Sequence, residues 1–450
     1  MKIIVIGCGK IGKTIIEHVS KEGHSLVIVD NNREKVEELI ERYDVMGVVG
    51  NGASLDIQEE AGVKSADLVI AVTPEDEINI LASMVAKKLG ASSTIARVRN
   101  PEYLRQTKLM QEELGLSMVV NPEQETADEI INMVNLPSLL KLEPFAKGKV
   151  NLVEILVEEN NPLIGETLIT MSKKIKTKVL ICAIQRASHV IIPNGNFKIE
   201  QGDRLSITAN ASSLVTFLKE LNLIKSPLKN IMIIGGGKIS YYLAKELSNK
   251  KYHIKLIEMN KNRAEEMAEA LPKVDVICGD GTDHDLLIEE GIEASDACIA
   301  LTNVDEENII VSMYATRLKI KKVIAKIKRN SFLTMVNDLG IASIVSKDIV
   351  ASKIISYIRA LSNKRGSNVL TLYKLVNNQV EALEFDAKKK EKFYNKPLKD
   401  LNIKENCLIA CIIRDGNVLI PSGNDCIQLN DRVLVVTTHQ QFDDLMDAFE

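Results

Sequence analysis

The sequence predicts an α/β protein made twice over: two doubly wound parallel-sheet domains, each followed by a small α+β domain. Three observations predict it. The chain repeats itself: KIIVIGCGKIG near the start returns as NIMIIGGGKIS, placing Gly7 and Gly235 228 residues apart, and a fixed internal period of this kind signals duplicated units. Within each copy, short Val/Ile-rich runs alternate with amphipathic stretches, the pattern of a parallel sheet covered by helices on both faces. A glycine-rich turn follows the first apolar run of each copy, where a strand must hand over to a helix.

In chain order, IIVIG reads as the first strand, with a helix from Lys10 to about Lys21. SLVIVD follows as a strand, then a helix from about Arg33, then the strands DVMGVVG and ADLVIAVT. These strands are continuous apolar runs because both faces of a central parallel sheet are buried. The repeat keeps step throughout: VVGNGAS at 48–54 answers ICGDGTD at 277–283, and ADLVIAVTPEDEIN at 66–79 answers SDACIALTNVDEEN at 295–308. A second kind of module repeats as well, since KVLICAIQRASHVIIPNGNFKIEQGDRL at 178–205 echoes NCLIACIIRDGNVLIPSGNDCIQLNDRV at 406–433, with Asp203 matching Asp431. Segments such as VNLVEILVEE, KVLICAIQR and RLSITA, separated by NPLIG and PNGN turns, predict a compact α+β unit with hairpins. The expected domains are 1–120, 140–224, 228–345 and 367–450. Linkers are expected near NPEQE after Val120, at KSPLK (225–229) and at SNKRGSN (362–368), where turn formers and charge interrupt the periodicity.

Composition bounds the function. With 450 residues, 45% hydrophobic and 26% charged, the chain is long enough for two or more cores and lies far from disordered compositions. Its 57 Lys+Arg against 61 Asp+Glu give a net charge of −4, which argues against nucleic-acid binding as the main role. The seven cysteines at 8, 182, 278, 298, 407, 411 and 426 are odd in number and form no CxxC pair, so a reducing compartment is expected and no metal site. Cys407 and Cys411 lie in NCLIACII, which reads as a buried strand lacking the further ligands a closed metal site needs. The first strand begins at once where a signal peptide would need its apolar stretch, and no window approaches a membrane span.

The turn Gly7-Cys8-Gly9-Lys10-Ile11-Gly12 follows a strand, opens a helix and has Asp30 at the end of the next strand. This is the dinucleotide-binding arrangement of Rossmann-type domains: one glycine for the tight turn, one for backbone approach to phosphate, one for helix–strand packing. Phosphates would rest on the unpaired amides of the helix N-terminus. Asp30 would accept both hydroxyls of a ribose, each charge-assisted bond worth about 1.5–3 kcal/mol, and would repel a 2′-phosphate, disfavouring NADP.

The second copy has Gly235-Gly236-Gly237-Lys238-Ile239, but Ser240 replaces the third glycine and Glu258 the aspartate. Ser240 would pack less closely, and the longer Glu258 would have to retract to meet the same diol, giving a working but non-equivalent site. Asp280 in GDGTD adds an acid at the carboxyl edge of the sheet, where such folds bind ligands. The next edges offer Thr73-Pro74 with Thr302-Asn303, then Arg97 with Lys326. Either cation suits a phosphate or a neighbouring subunit's ligand, and equally a surface ion pair.

Nothing in the pattern builds a catalytic centre. The histidines at 18, 24, 189, 253, 284 and 439 show no pairing with an acid. Tyr241-x-x-x-Lys245 has the spacing of a short-chain dehydrogenase pair, but it falls on the first turns of the phosphate-binding helix, too near the glycine turn to come from the substrate side.

The doubled GxGxxG, the GDGT-like turn, the ADLVIAVT strand and the appended IPxG…GDRL module together resemble tandem RCK domains, regulators of potassium conductance. Their doubling within one chain is similar to the TrkA family of Trk systems rather than to single-copy Ktr regulators, over nearly the whole length. The resemblance implies RCK N-terminal and C-terminal domains in alternation. It implies NAD(H) and/or ATP/ADP held by Gly7, Gly9, Asp30, Thr73 and Arg97 and by Gly235, Gly237, Glu258, Thr302 and Lys326. It further implies a homo-oligomeric ring of RCK domains on the cytoplasmic face of a potassium-conducting, TrkH-type membrane subunit, and a regulator rather than an enzyme. An NAD-dependent oxidoreductase with tandem Rossmann domains is the alternative; a transcriptional redox sensor lacks a basic recognition helix.

Overall fold

A computed structural model of the chain describes residues 1–135, 141–145, 150–187, 189–221, 223, 228–250, 252–363, 369–375, 380–388, 391, 393–438, 442 and 444–449. They form two compact units. One joins Met1–Ile131 to Leu228–Ile358, and the other joins Asn132–Pro227 to Arg359–Glu450.

The first unit contains two six-stranded sheets. In the first, β1 (Lys2–Ile6), β2 (Ser25–Asp30), β3 (Met46–Val49), β4 (Leu68–Ala71), β5 (Ser93–Arg97) and β6 (Met118–Val120) lie in the order β3-β2-β1-β4-β5-β6, every pairing parallel. Ile3, Ile4, Val5 and Ile6 are buried on both faces, which is why β1 reads as an unbroken apolar run. Strand order reverses between β1 and β4, and ligands of doubly wound sheets bind outside the carboxyl ends at such a point. Gly7 follows β1 there and Thr73 lies just past β4.

The second small unit is antiparallel and also doubled. β7 (Lys141–Phe145), β8 (Val150–Leu156), β9 (Leu180–Arg186), β10 (His189–Ile191) and β11 (Arg204–Ala209) run in the order β10-β9-β11-β8-β7. The second parallel sheet comprises β12 (Asn230–Ile234), β13 (His253–Glu258), β14 (Asp275–Cys278), β15 (Ala297–Ala300), β16 (Lys322–Lys326) and β17 (Ala342–Ile344), ordered β14-β13-β12-β15-β16-β17. The second antiparallel sheet has β18 (Val369–Leu375), β19 (Val380–Asp386), β20 (Cys407–Arg414), β21 (Asn417–Leu419) and β22 (Arg432–Thr437), ordered β18-β19-β22-β20-β21. The repeated aspartates serve the same structural purpose in each copy. Asp203 takes two hydrogen bonds from Arg186 at 2.8 Å, and Asp431 takes two from Arg414 at 2.9 and 2.8 Å, both acids being buried. Cys407 and Cys411 are buried on β20. Among the described residues no group of His, Cys, Asp and Glu is placed to hold a metal, and no helix is long and apolar enough to cross a membrane.

Local expectations are corrected in two places. The stretch after Val120 is not a linker but the start of the helix Pro122–Asn135. Asn121 caps it, its Oδ1 accepting from the amides of Glu123 (2.9 Å) and Gln124 (3.0 Å), and proline suits a first helical position because its missing N–H would have no partner there. The first helix ends at Val19 rather than about Lys21. Of the other expected linkers, residues 225–227 and 364–368 lie outside the described residues, as do the expected domain limits at 140, 224, 367 and 450.

Candidate functional site

The first glycine turn is built by three different constraints. Gly7 has φ +101, a conformation side chains rarely adopt, and a Cβ there would stand 2.8 Å from the Thr73 nitrogen. A Cβ on Gly12 would fall 2.0 Å from the Gly7 carbonyl oxygen, so glycine lets helix Lys10–Val19 lie against the turn. Gly9 is different: nothing lies within 4 Å of where its Cβ would be. It precedes the helix with no side-chain cap, and the first helical amides have no acceptor within the helix. An open glycine beside unpartnered amides is the geometry that receives an anion.

Asp30 braces this turn. Its Oδ2 accepts from the Cys8 amide at 2.7 Å and its Oδ1 from Asn32 at 2.9 Å. Each oxygen retains a lone pair for a further donor. The Cys8 thiol is buried, and burial, then the charge of Asp30, push it up to about 12, so it stays protonated and inert.

The second turn reaches the same backbone by other means. Gly235 has φ +98, and the Cβ side of Gly237 is open. Ser240, fully buried, donates its hydroxyl to the Gly235 carbonyl at 2.5 Å, the oxygen against which a Cβ on Gly12 would collide in the first copy. Glu258 does not retract: its Oε2 accepts from the Gly236 amide (2.5 Å) and its Oε1 from Asn260 (2.8 Å), reproducing both bonds of Asp30. The longer side chain fits because residue 236 is glycine; a Cβ there would lie 2.9 Å from Oε2 and 3.0 Å from Cγ. Cys8/Asp30 and Gly236/Glu258 are therefore a paired exchange. Arg263 adds a bond from Nε to the Gly236 carbonyl at 2.8 Å; Lys35 holds the matching place in the first copy.

At the third-strand turns the glycines serve packing. A Cβ on Gly52 or Gly281 would meet Cγ2 of Ile6 or Ile234 at 2.1 or 2.3 Å. Asp280 accepts from the Thr282 amide and hydroxyl, both at 2.8 Å, and these bonds hold its carboxyl below the usual range.

Past β4 and β15, two asparagines missed in the sequence organise the edge. Asn79, fully buried, accepts from the Thr73 amide (2.7 Å) and hydroxyl (2.8 Å) and donates to the carbonyls of Thr73 and Arg97, each at 3.0 Å. Asn308 likewise ties the Thr302 amide and carbonyl to the Lys326 carbonyl. The signal was in the repeat, since both copies of the matched segment end in asparagine. Asp76 and Asp305 act one turn earlier, accepting from the amides of Arg99 and Asn100 and of Lys328 and Arg329 respectively.

The surface ion-pair alternative for Arg97 and Lys326 fails, because both are drawn inward onto carbonyl oxygens. Arg97 donates from Nη2 to the Pro74 carbonyl at 3.0 Å. Lys326, 8% exposed, donates to Leu301 at 3.0 Å and lies 3.4 Å from the Asn303 Oδ1. Burial, then the charge of Lys328, lowers its ammonium to about 8.

Gly237, Lys238, Asn303 and Lys326 line an open cleft of about 520 Å³ whose wall also includes Arg99 and Glu123 of the first copy. The copies are joined beside it: the Asn121 amide group donates to the Tyr242 hydroxyl at 3.1 Å, and Lys353 bonds to Glu125. Sequence reasoning assigned each site to its own copy, and no local pattern reveals the crossing. Tyr241 also lines this cavity, beside Gly237 and Lys238 on the first turn of the helix Lys238–Ser248; Lys245 sits 5.6 Å from its ring centroid, one helical turn along. His24 has an acid after all, its Nε2 lying 3.9 Å from Glu22 in the turn after the first helix. His439 lies outside the described residues.

Family models match in the same alternation as the sheets: TrkA-N domain over residues 3–122 and 231–347, TrkA-C domain over 152–222 and 383–450. The Trk system potassium uptake protein TrkA of Vibrio alginolyticus is 32% identical, over 98% of this chain and 97% of its own length. A TrkA homolog of Archaeoglobus fulgidus is 29% identical over the full length of both. Among solved structures, the GsuK channel superposes with a TM-score of 0.64 at 18% identity, covering 97% of this chain and 76% of the channel. The GsuK channel bound to NAD gives 0.62 at 18% identity, with the same coverage. At such identities these likenesses establish the fold, two parallel-sheet domains each followed by a small antiparallel one.

Proposed function

The chain belongs to the TrkA family of Trk system potassium uptake proteins, and on that premise we propose that it is the nucleotide-binding regulatory subunit that gates a potassium-conducting membrane partner of the TrkH type. It senses a nucleotide and leaves it chemically unchanged. The observation that carries this reading is the pair of glycine turns at the switch points of two parallel sheets, each with an open second glycine and an acid at the end of the next strand.

In this reading the domains are those at 1–120, 140–224, 228–345 and 367–450. NAD(H) or ATP/ADP lies on Gly7–Gly12 with Asp30, Thr73, Pro74 and Arg97, and on Gly235–Ile239 with Glu258, Thr302, Asn303 and Lys326, while Asp280 shapes its turn. GsuK, a channel of the same fold, has been solved with NAD and with ADP, which supports these ligand classes. Exposed apolar residues stand at matched places on the two copies, Leu81 with Ile310 and Leu109 with Met335, and supply contacts for a ring of such domains at the cytoplasmic face of the membrane.

Gating then follows from differential affinity. A nucleotide that binds one ring shape about 100-fold more tightly than the other supplies about 2.7 kcal/mol toward opening or closing the partner's pore. The test is rubidium uptake by the reconstituted transporter with the Asp30→Ala/Glu258→Ala double variant, whose folding is checked by thermal unfolding. Loss of the nucleotide response is expected; a folded double variant with an unchanged response overturns the proposal. Steady NADH turnover by the purified chain would favour the oxidoreductase alternative instead.

A further inference from the structure

The cavity at the second glycine turn holds a charged group with an unused oxygen. Glu123 is 8% exposed. Its Oε1 takes both bonds from Arg99, from Nε at 2.6 Å and Nη2 at 2.5 Å, whereas its Oε2, buried in the cavity wall, has no hydrogen-bond partner among the described residues. A buried carboxylate oxygen left unpaired is costly and is satisfied by a donor. The first copy thus presents an acceptor to the ligand of the second, and its nearest cation, Arg99, is already neutralised.

The repeat does not return the same groups. Glu123 is the second residue of helix Pro122–Asn135, and the second residue of the matching helix Ser346–Asn363 is Lys347. Arg99 stands two residues past the end of β5, and Lys328 two past the end of β16. The second copy thus carries lysines at both matching positions, and the Lys328 ammonium is held on the Asn303 carbonyl of its own copy at 2.5 Å, so the neutralised pair with a spare acid oxygen faces the second site.

Resting on the nucleotide-binding reading above, we propose that the second site, facing Glu123, selects a dinucleotide such as NAD(H) over a nucleoside triphosphate. Both ligands set phosphates on the glycine turn and an adenosine ribose on the acid. They differ in what lies beyond. A dinucleotide extends a second ribose, whose hydroxyls donate to the free oxygen of Glu123. A triphosphate extends an ionised terminal phosphate, which has acceptors only and is repelled by a neighbouring carboxylate.

The experiment titrates the full chain with NADH and with ATP, with and without magnesium, in an Asp30→Ala background to isolate the second site and a Glu258→Ala background to isolate the first. The second site is expected to bind NADH more tightly than ATP. Glu123→Lys should move the ratio of the two dissociation constants about tenfold toward ATP, and Glu123→Gln should move it less in the same direction. Unchanged ratios in variants that still bind nucleotide overturn the selectivity while leaving the nucleotide-binding reading intact. ATP binding at the second site that requires magnesium and disappears in Glu123→Gln also overturns it, because the carboxylate then recruits phosphate through a cation instead of repelling it. Failure of the parent chain to bind either nucleotide removes the premise itself.

Discussion

The two glycine turns of this chain share their backbone and differ in the side chains that hold it. In the first, glycine at 12 allows contact with the Gly7 carbonyl; in the second, Ser240 hydrogen-bonds the same carbonyl. In the first, a short acid stands beside Cys8; in the second, a longer acid folds over Gly236, and each makes the same pair of bonds to main-chain amides. The lesson is that a repeat retains hydrogen bonds to main chain rather than residue identities, because an unsatisfied buried amide costs more than a changed methylene. A substitution that looks like decay when read alone, Asp to Glu, is a compensated one when its neighbour is read with it.

That comparison can be broken or sharpened by experiment. The largest effect is expected from Asn79→Ala, which strands two carbonyls and an amide and leaves the Thr73 hydroxyl only its longer bond to the Glu75 carbonyl; it should cost about 3 kcal/mol and expose the ends of β4 and β5 to hydrogen exchange. Asn308→Ala, which releases no threonine hydroxyl, should cost about 2 kcal/mol, and an equal or larger loss would show that the edges are not held alike. Transplanting the second copy's serine as Gly12→Ser should cost about 2 kcal/mol, because a Cβ meets backbone that must move; the reverse, Ser240→Gly, should cost about 1 kcal/mol for its hydrogen bond. Denaturant titration compares the two, and equal costs would mean that the turns are interchangeable. Gly236→Cys should cost about 1–2 kcal/mol through contact with Glu258, and adding Glu258→Asp should recover about 1 kcal/mol of it; strict additivity in the double-mutant cycle would dissolve the paired exchange.

The smallest effect is a pH dependence that separates the sites. Lys326 has its folded pKa lowered from 10.5 to about 8, so its buried charge disfavours the fold fully below pH 8, and that penalty fades as pH rises from about 8 toward 10.5. An anionic ligand needs the charged form. Nucleotide affinity at the second site should therefore fall a few-fold as pH rises through about 8, and the fall should vanish in Lys326→Met. The first site, with Arg97 in that place, should stay flat over the same range, because a guanidinium remains charged. Parallel pH profiles at the two sites would sink this distinction.

Much of the fold was legible because its information is local and periodic. Buried parallel strands are apolar runs, the Gly7–Gly12 turn sits between strand and helix, and a duplicated register shows each element twice. The helix after Val120 was missed because Asn, Pro and Glu mark a helix start as readily as a turn, and the choice depends on whether Asn121 finds the amides of residues 123 and 124. The glycines at 52 and 281 are explained by Ile6 of β1 and Ile234 of β12, which leave no room for a Cβ.

The sequence by itself determined the duplicated α/β architecture, the two glycine turns and the acids that follow them, since strand period, helix period and turn chemistry are written within short windows. Only the tertiary structure decided that Arg97 and Lys326 turn inward onto carbonyls, that Asn79 and Asn308 tie the strand ends, and that Arg99 and Glu123 of one copy line the cleft of the other. The first two depend on burial and on loops that meet 6 to 25 positions apart, and the last on groups more than 100 positions apart along the chain, as from Asn121 to Tyr242; no local spacing encodes which groups will come together.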